Sequence, residues 1–263
     1  MLEFLQKLNS GARPELDSLF LFSTPLIPIA IMATYMSFVL HYGPKWMQNR
    51  QPFNLKYVIL AYNLMQVCYN AWMVQESVRT IYVWDMLKSF GCTPALDEVD
   101  TSLLMAELAR GFWHYTFNKI LDLLDTVFFV LTKKQSHVTF LHVHHHSLMV
   151  SFLWFIAKYY PGIDGGIVGF CNTIVHTVMY FYYFIAALGP AYRKYLWWKS
   201  YLTLLQITQF VIIILYILVA VCMCGKNFNL YIITFIMAET MFNLYLFTSF
   251  YFKSYKNTNK KTQ

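Results

Sequence analysis

The sequence predicts an all-α, polytopic membrane protein with seven transmembrane helices, and three observations predict it. Hydrophobic residues make up 58% of the 263 residues and charged residues only 13%, far from the balance of a soluble globular domain. The apolar residues fall into stretches of roughly spanning length at 25–42, 57–76, 111–131, 142–159, 163–188, 201–223 and 228–252. Pro44, Pro52, Pro94, Pro161 and Pro190 all lie between these stretches, where a helix breaker belongs.

The chain divides into a segment 1–24, a seven-helix region 25–252 and a basic tail 253–263. The first segment carries Glu3, Lys7, Arg13, Glu15 and Asp17 and lacks the long apolar core of a signal peptide, so the first span is expected to act as its own insertion signal. A net charge of +7 does not point to nucleic acid, because the basic residues are scattered among apolar spans. With segment 1–24 on the lumenal side, the larger share of Lys and Arg falls in the connections and tail of the opposite side, Lys45, Arg50, Lys133, Lys134, Arg193 and Lys194 among them. The positive-inside rule makes that side, and the tail with it, cytosolic.

In that tail Lys260 and Lys261 stand fourth and third from the end. They are either a solvated basic tail or a dilysine signal returning a membrane protein to the endoplasmic reticulum, and topology favours the signal. Cys92 and Cys224 both fall on the oxidising lumenal side and form a candidate disulfide, whereas Cys68 and Cys171 sit inside spans and are expected to be buried apolar fillers. No cysteine spacing of the zinc-binding kind occurs, and no internal repeat is apparent.

Polar residues inside the spans carry the functional signal, because a charge at membrane depth costs about 3 kcal/mol unless it faces an interior and is paired. In the third span Lys119, Asp122, Asp125 and Thr126 share one face, either as a structural ion pair of Lys119 with Asp122 or as the polar wall of a site. The fourth span opens with four of the chain's eight histidines: His142, His145 and His146 share a helical face, and His144 points elsewhere. The fifth span carries Asn172, His176, Met179, Tyr180 and Tyr183 on one stripe. The sixth carries Thr203, Gln206 and Gln209, three residues apart, for which hydrogen bonding between helices is the plain alternative. In the expected orientation all four stripes lie from mid-membrane to the cytosolic end and can meet in one cavity. Such a cavity suits an enzyme that takes a charged headgroup from the cytosol and an acyl chain into an apolar half.

KILDLLDT at 119–126, HVHHH at 142–146, NTIVHTVMYFYY at 172–183 and TLLQITQF at 203–210, in this order, resemble the motifs of the fatty acid elongases of very long chain fatty acid synthesis. The resemblance implies a seven-helix enzyme of the endoplasmic reticulum, with helices two to seven enclosing an acyl-CoA tunnel. Its reaction would condense malonyl-CoA with a long-chain acyl-CoA to 3-ketoacyl-CoA, CoA and CO2, as a very-long-chain 3-oxoacyl-CoA synthase with no metal or organic cofactor. It admits a ketoreductase, a dehydratase and an enoyl reductase of the same cycle as partners, and a homo-oligomer. Asp122 stands where the family more often has Glu, and His144 fills the variable place of the box.

The catalytic candidates are His142, His145, His146 and His176. His145 or its neighbour is expected to accept the acyl group as an acyl-imidazole, with His176 opposite it. Asn172, Gln206 and the imidazoles are expected to donate to the enolate oxygen. Asp122, Asp125, Tyr180, Tyr183 and Gln209 complete the substrate-binding set, and Lys119, Lys133, Lys134, Arg193 and Lys194 are expected to meet CoA phosphates.

Two other classes compete. A di-iron desaturase or hydroxylase also uses histidine boxes, but it needs about eight ligands, and outside the box only the single His41, His114, His137 and His176 remain. A seven-helix receptor or channel would have no evident use for a histidine box near the cytosolic end.

Overall fold

The structure is a computed structural model that describes residues 14–79, 101–159, 164–224 and 230–256. Every regular element among them is helical. The long helices are α1 (Leu26–Met47), α2 (Lys56–Arg79), α3 (Thr101–Leu131), α4 (Phe140–Tyr159), α5 (Asp164–Leu188), α6 (Lys199–Cys224) and α7 (Leu230–Tyr251).

Among the described residues, four stretches are long and apolar enough to cross a membrane: Leu26–Met47, Gly166–Leu188, Lys199–Met223 and Leu230–Lys256. The chain is therefore a membrane protein, all-helical among the described residues. The other three helices, of 24, 31 and 20 residues, have the length to cross at about 1.5 Å per residue. They are less apolar because α2 carries Asn63, Gln66 and Asn70, α3 carries Lys119, Asp122 and Asp125, and α4 carries the histidines.

Two compact units make up the chain. The first holds α1, α3 and α4. Its core has one layer of Tyr35, Val39 and Met47 from α1 with Leu123 and Val130 from α3 and Val143 and Val150 from α4. A second layer joins Ala109 and Phe112 of α3 and Trp154 and Ala157 of α4 to Leu16, Leu21 and Phe22. The residues before α1 are thus packed into the unit: Trp154 Nε1 donates to the Leu21 carbonyl at 2.7 Å, and Lys158 Nζ donates to the Phe22 carbonyl at 2.8 Å and pairs with Asp17.

Two boundaries in this unit differ from the sequence expectation. Pro44 lies inside α1, because residues Phe38–Tyr42 form a π-helical turn closed by the Gly43 N–H on the Phe38 carbonyl. The wider turn accommodates a ring that an α-helical turn would reject. Helix α3 begins at Thr101, so ten residues expected in the connection belong to the helix instead.

At Gly43 a Cβ would lie 2.7 Å from the Phe38 carbonyl oxygen and 2.8 Å from Val130 Cγ1. Gly43→Ala is expected to cost about 1–3 kcal/mol by overpacking, read as a lower thermal midpoint in detergent, and Val130→Ala in the same chain should recover part of the loss.

The second unit holds α2, α5, α6 and α7, with α2 packed along α5 and α6 between α5 and α7. Ile167 of α5 and Ile213, Tyr216, Ile217 and Ala220 of α6 form its apolar cluster, backed by Ile233, Ile236 and Met237 of α7. Gly189, at φ 122°, takes a left-handed conformation that side chains disfavour and ends α5 ahead of Pro190.

Candidate active site

In the first unit the histidine box is set by the start of α4. Thr139 accepts the N–H of His142 on its side-chain oxygen at 3.2 Å, the geometry of an N-cap to the third helical residue, and so fixes the turn that carries the box. From there the helical repeat does the positioning. His142 and His146, four residues apart, bring their ring centroids to 4.3 Å, and His145 lies edge-on to His146 at 5.8 Å. His144 stacks on Phe140 at 5.4 Å, off that face, as the spacing predicts.

Helix α3 supplies the facing groups. Lys119, Asp122, Asp125 and Thr126 are all buried, as their shared stripe requires. Lys119 Nζ and Asp122 Oδ2 form an ion pair at 2.8 Å, with the two side chains 2% and 0% exposed, and the ammonium also sits 5.2 Å from the ring centre of Tyr115. Thr126 Oγ1 lies 3.0 Å from His142 Nε2 and 2.9 Å from the hydroxyl of Tyr35 on α1. Asn118, fully buried beside Lys119 in sequence, is a further polar residue of this helix that the motif boundary at 119 left out.

Helix α3 ends in a Schellman-type turn, with the Lys134 N–H on the Phe129 carbonyl at 2.8 Å and Lys133 in the left-handed region at φ 55°. Lys133 Nζ donates to the Gln48 carbonyl at 3.2 Å, tethering the 48–55 loop. Lys133 and Lys134 are both exposed.

In the second unit Asn172, His176 and Tyr180 are buried along α5. Edge-on ring contacts join His176 to Tyr180 at 5.8 Å and Tyr180 to Tyr183 at 6.0 Å, although Tyr183 itself is 37% exposed. On α6, Gln206 Nε2 lies 3.6 Å from Met179 Sδ and Gln209 is buried. Arg193 and Lys194 sit exposed in the turn between α5 and α6.

Helix α2 adds a polar stripe that the sequence reading passed over. Tyr62, Asn63, Gln66 and Asn70 are all buried, Tyr62 O–H meets the Tyr180 hydroxyl at 3.2 Å, and Gln66 Nε2 donates to Tyr62 at 3.3 Å. Amides three and four residues apart in an apolar stretch were the available signal.

Among the described residues, no group of three or more His, Cys, Asp and Glu is placed to hold a metal ion. Cys92, Lys260 and Lys261 lie outside the described residues, and Cys224 is the last residue of α6.

A profile of the ELO (GNS1/SUR4) family matches residues 20–263. The chain is 40% identical over 245 residues to very long chain fatty acid elongase 7 of Rattus norvegicus, covering 93% of this chain and 86% of the relative. It is 38% identical to very long chain fatty acid elongase 7 of Drosophila melanogaster, over 92% of this chain and 72% of the relative. To human very long chain fatty acid elongase 1 it is 35% identical, over 95% and 88%.

Proposed function

This chain belongs to the ELO (GNS1/SUR4) family, and we propose that it condenses malonyl-CoA with a long-chain acyl-CoA, the first step of adding two carbons to a fatty acid. The products are 3-ketoacyl-CoA, CoA and CO2, the activity of a very-long-chain 3-oxoacyl-CoA synthase. The observation that carries this reading is the three-imidazole face of α4, in a chain whose relatives are named fatty acid elongases.

An imidazole nitrogen of the box, His145 first, attacks the acyl thioester carbon. The C–S bond breaks, and CoA leaves as the thiol with the imidazole proton. Malonyl-CoA then loses its carboxylate as CO2, and the electron pair of the broken C–C bond becomes an enolate. Asn172, Gln206 and His176 supply donors to its oxygen. The enolate carbon bonds to the acyl carbon, the imidazole nitrogen departs with the electron pair of the broken C–N bond, and one proton taken up from water restores the neutral ring. Lys119, Asp122, Asp125, Tyr180, Tyr183 and Gln209 hold substrate, and the exposed Lys133, Lys134, Arg193 and Lys194 meet CoA phosphates.

In this reading the chain crosses the endoplasmic reticulum membrane seven times, with segment 1–24 lumenal, 25–252 spanning and 253–263 cytosolic. An apolar tunnel takes the acyl chain, and Cys92 pairs with Cys224. Both CoA thioesters are substrates, and no resident cofactor enters the chemistry.

The test is purified protein in detergent with carboxyl-labelled and methylene-labelled malonyl-CoA and a panel of acyl-CoAs of graded length. We expect one labelled CO2 released for each 3-ketoacyl-CoA formed, with a preferred acyl length. Folded protein that forms no ketoacyl product from any member of the panel would contradict it.

A further inference from the structure

Helix α1 is joined to the histidine box of the first unit through Tyr35 and Thr126. The hydroxyl of Thr126 stands between Tyr35 and His142, at 2.9 Å from the phenol oxygen and 3.0 Å from Nε2. Tyr35 and Thr126 are 5% and 0% exposed, so the bond between them is buried, and the bond to the half-buried His142 is partly so.

Thr132, Thr173, Thr177 and Thr240, also on long helices or at their ends, each donate to the carbonyl four residues earlier, one of the orientations open to a helical threonine. Thr126 makes no such bond and turns its hydroxyl off α3 toward the other two helices of the unit.

The direction of the two bonds follows from donor strength and valence. A phenol, with an ordinary pKa near ~10, gives up its proton more readily than an aliphatic alcohol, so Tyr35 donates and Thr126 Oγ1 accepts. Oγ1 keeps a second lone pair, but a bond accepted from His142 as well would leave the Thr126 proton buried and unsatisfied; directed at His142 Nε2 that proton is paired, and Nε2 presents its lone pair. The remaining ring proton of the neutral imidazole sits on Nδ1.

We infer that Tyr35 and Thr126 are positioning residues that hold His142 as the neutral Nδ1–H tautomer, so that His142 serves as a hydrogen-bond donor and leaves the nucleophile's role to His145 or His146. The catalytic half of this statement rests on the condensation reaction proposed above. The tautomer half does not, and the two are tested separately. With Nε2 occupied, the nitrogen of His142 left for substrate is the protonated one. It can steady a thioester oxygen but cannot attack a carbonyl carbon.

Nitrogen NMR of protein with labelled histidine reads the tautomer without any turnover, the His142 signals being assigned by their loss in His142→Gln. Wild type is expected to give a lone-pair-bearing Nε2 and a protonated Nδ1. Thr126→Val, which keeps the shape and removes the hydroxyl, should shift the pair toward the tautomer mixture of a free imidazole, and Thr126→Ser should restore it. In the condensation assay Thr126→Val is expected to lower kcat about tenfold to a hundredfold with KM for acyl-CoA within twofold of wild type. Its acidic limb should move to higher pH, because a bond donated to Nε2 favours the neutral ring and its loss eases protonation. Thr126→Ser should recover most of the rate, and Tyr35→Phe should fall between. Tyr35→Phe carries the test if Thr126→Val fails to fold.

A protonated Nε2 in wild type would overturn the inference whatever the enzyme does. So would Thr126→Val and Tyr35→Phe proteins that fold, keep kcat within twofold and leave the acidic limb in place. Wild type that shows the expected tautomer but makes no ketoacyl product would sink the proposed reaction and leave the positioning of His142 standing.

Discussion

Replacing His145 with alanine is expected to lower the condensation rate by a factor of about a hundred or more, with the thermal midpoint nearly unchanged. The size follows from losing a nucleophile or base at the reacting carbon, a contribution of about 10²–10⁴ in rate. The choice of residue follows from the geometry of α4. His142 is committed through Nε2 to Thr126, and His146 is the most buried of the three, ringed by its two neighbours at 4.3 and 5.8 Å. His145 is only partly buried, so its truncation removes little packing. Rates measured with saturating malonyl-CoA and acyl-CoA separate this from a binding defect, which would appear in KM.

The largest effect on stability is expected at Asp122. Removing one member of a buried ion pair leaves the other as an uncompensated charge, at about 3–5 kcal/mol, whereas replacing both with apolar residues of similar volume is often neutral. Lys119 and Asp122 are 2.8 Å apart and almost fully buried, so Asp122→Ala should sharply lower the thermal midpoint in detergent. Lys119→Met combined with Asp122→Leu should return the midpoint to near the wild-type value and, if the pair binds substrate as proposed, still be inactive. A double variant that recovers both stability and turnover would reduce the pair to a structural role.

What the sequence made legible, and what it did not, divides along the physical range of the signals. The shared face of His142, His145 and His146 and the outward turn of His144 depend only on the helical repeat, and α4 realises both. The Lys119–Asp122 pair is likewise local, three residues apart on α3. Tyr35 is different. It lies 91 positions from Thr126, and a tyrosine in an apolar span looks like packing until the helix it touches is known. The buried amides of α2 carried a readable signal, since Asn63, Gln66 and Asn70 repeat at helical spacing, but without a histidine or a charge among them they drew no attention. Pro44 misled because its usual effect is to end a helix. Here the π-helical turn before it relieves the clash, and that turn has no sequence signature of its own. The seven-span count met a similar limit, since the stripes that mark function lower the hydropathy of the helices that carry them.

The claim on which the proposed chemistry depends is that an imidazole of the box becomes covalently acylated before malonyl-CoA takes part. Intact-protein mass spectrometry after mixing purified protein with a long-chain acyl-CoA alone tests it most directly. The account predicts an adduct of one acyl group, released CoA in equal amount, an adduct site within residues 142–146, and no adduct on His145→Ala. An unmodified wild-type mass, with CoA released only when malonyl-CoA is also present, would contradict it and point to direct attack of the enolate on the acyl thioester.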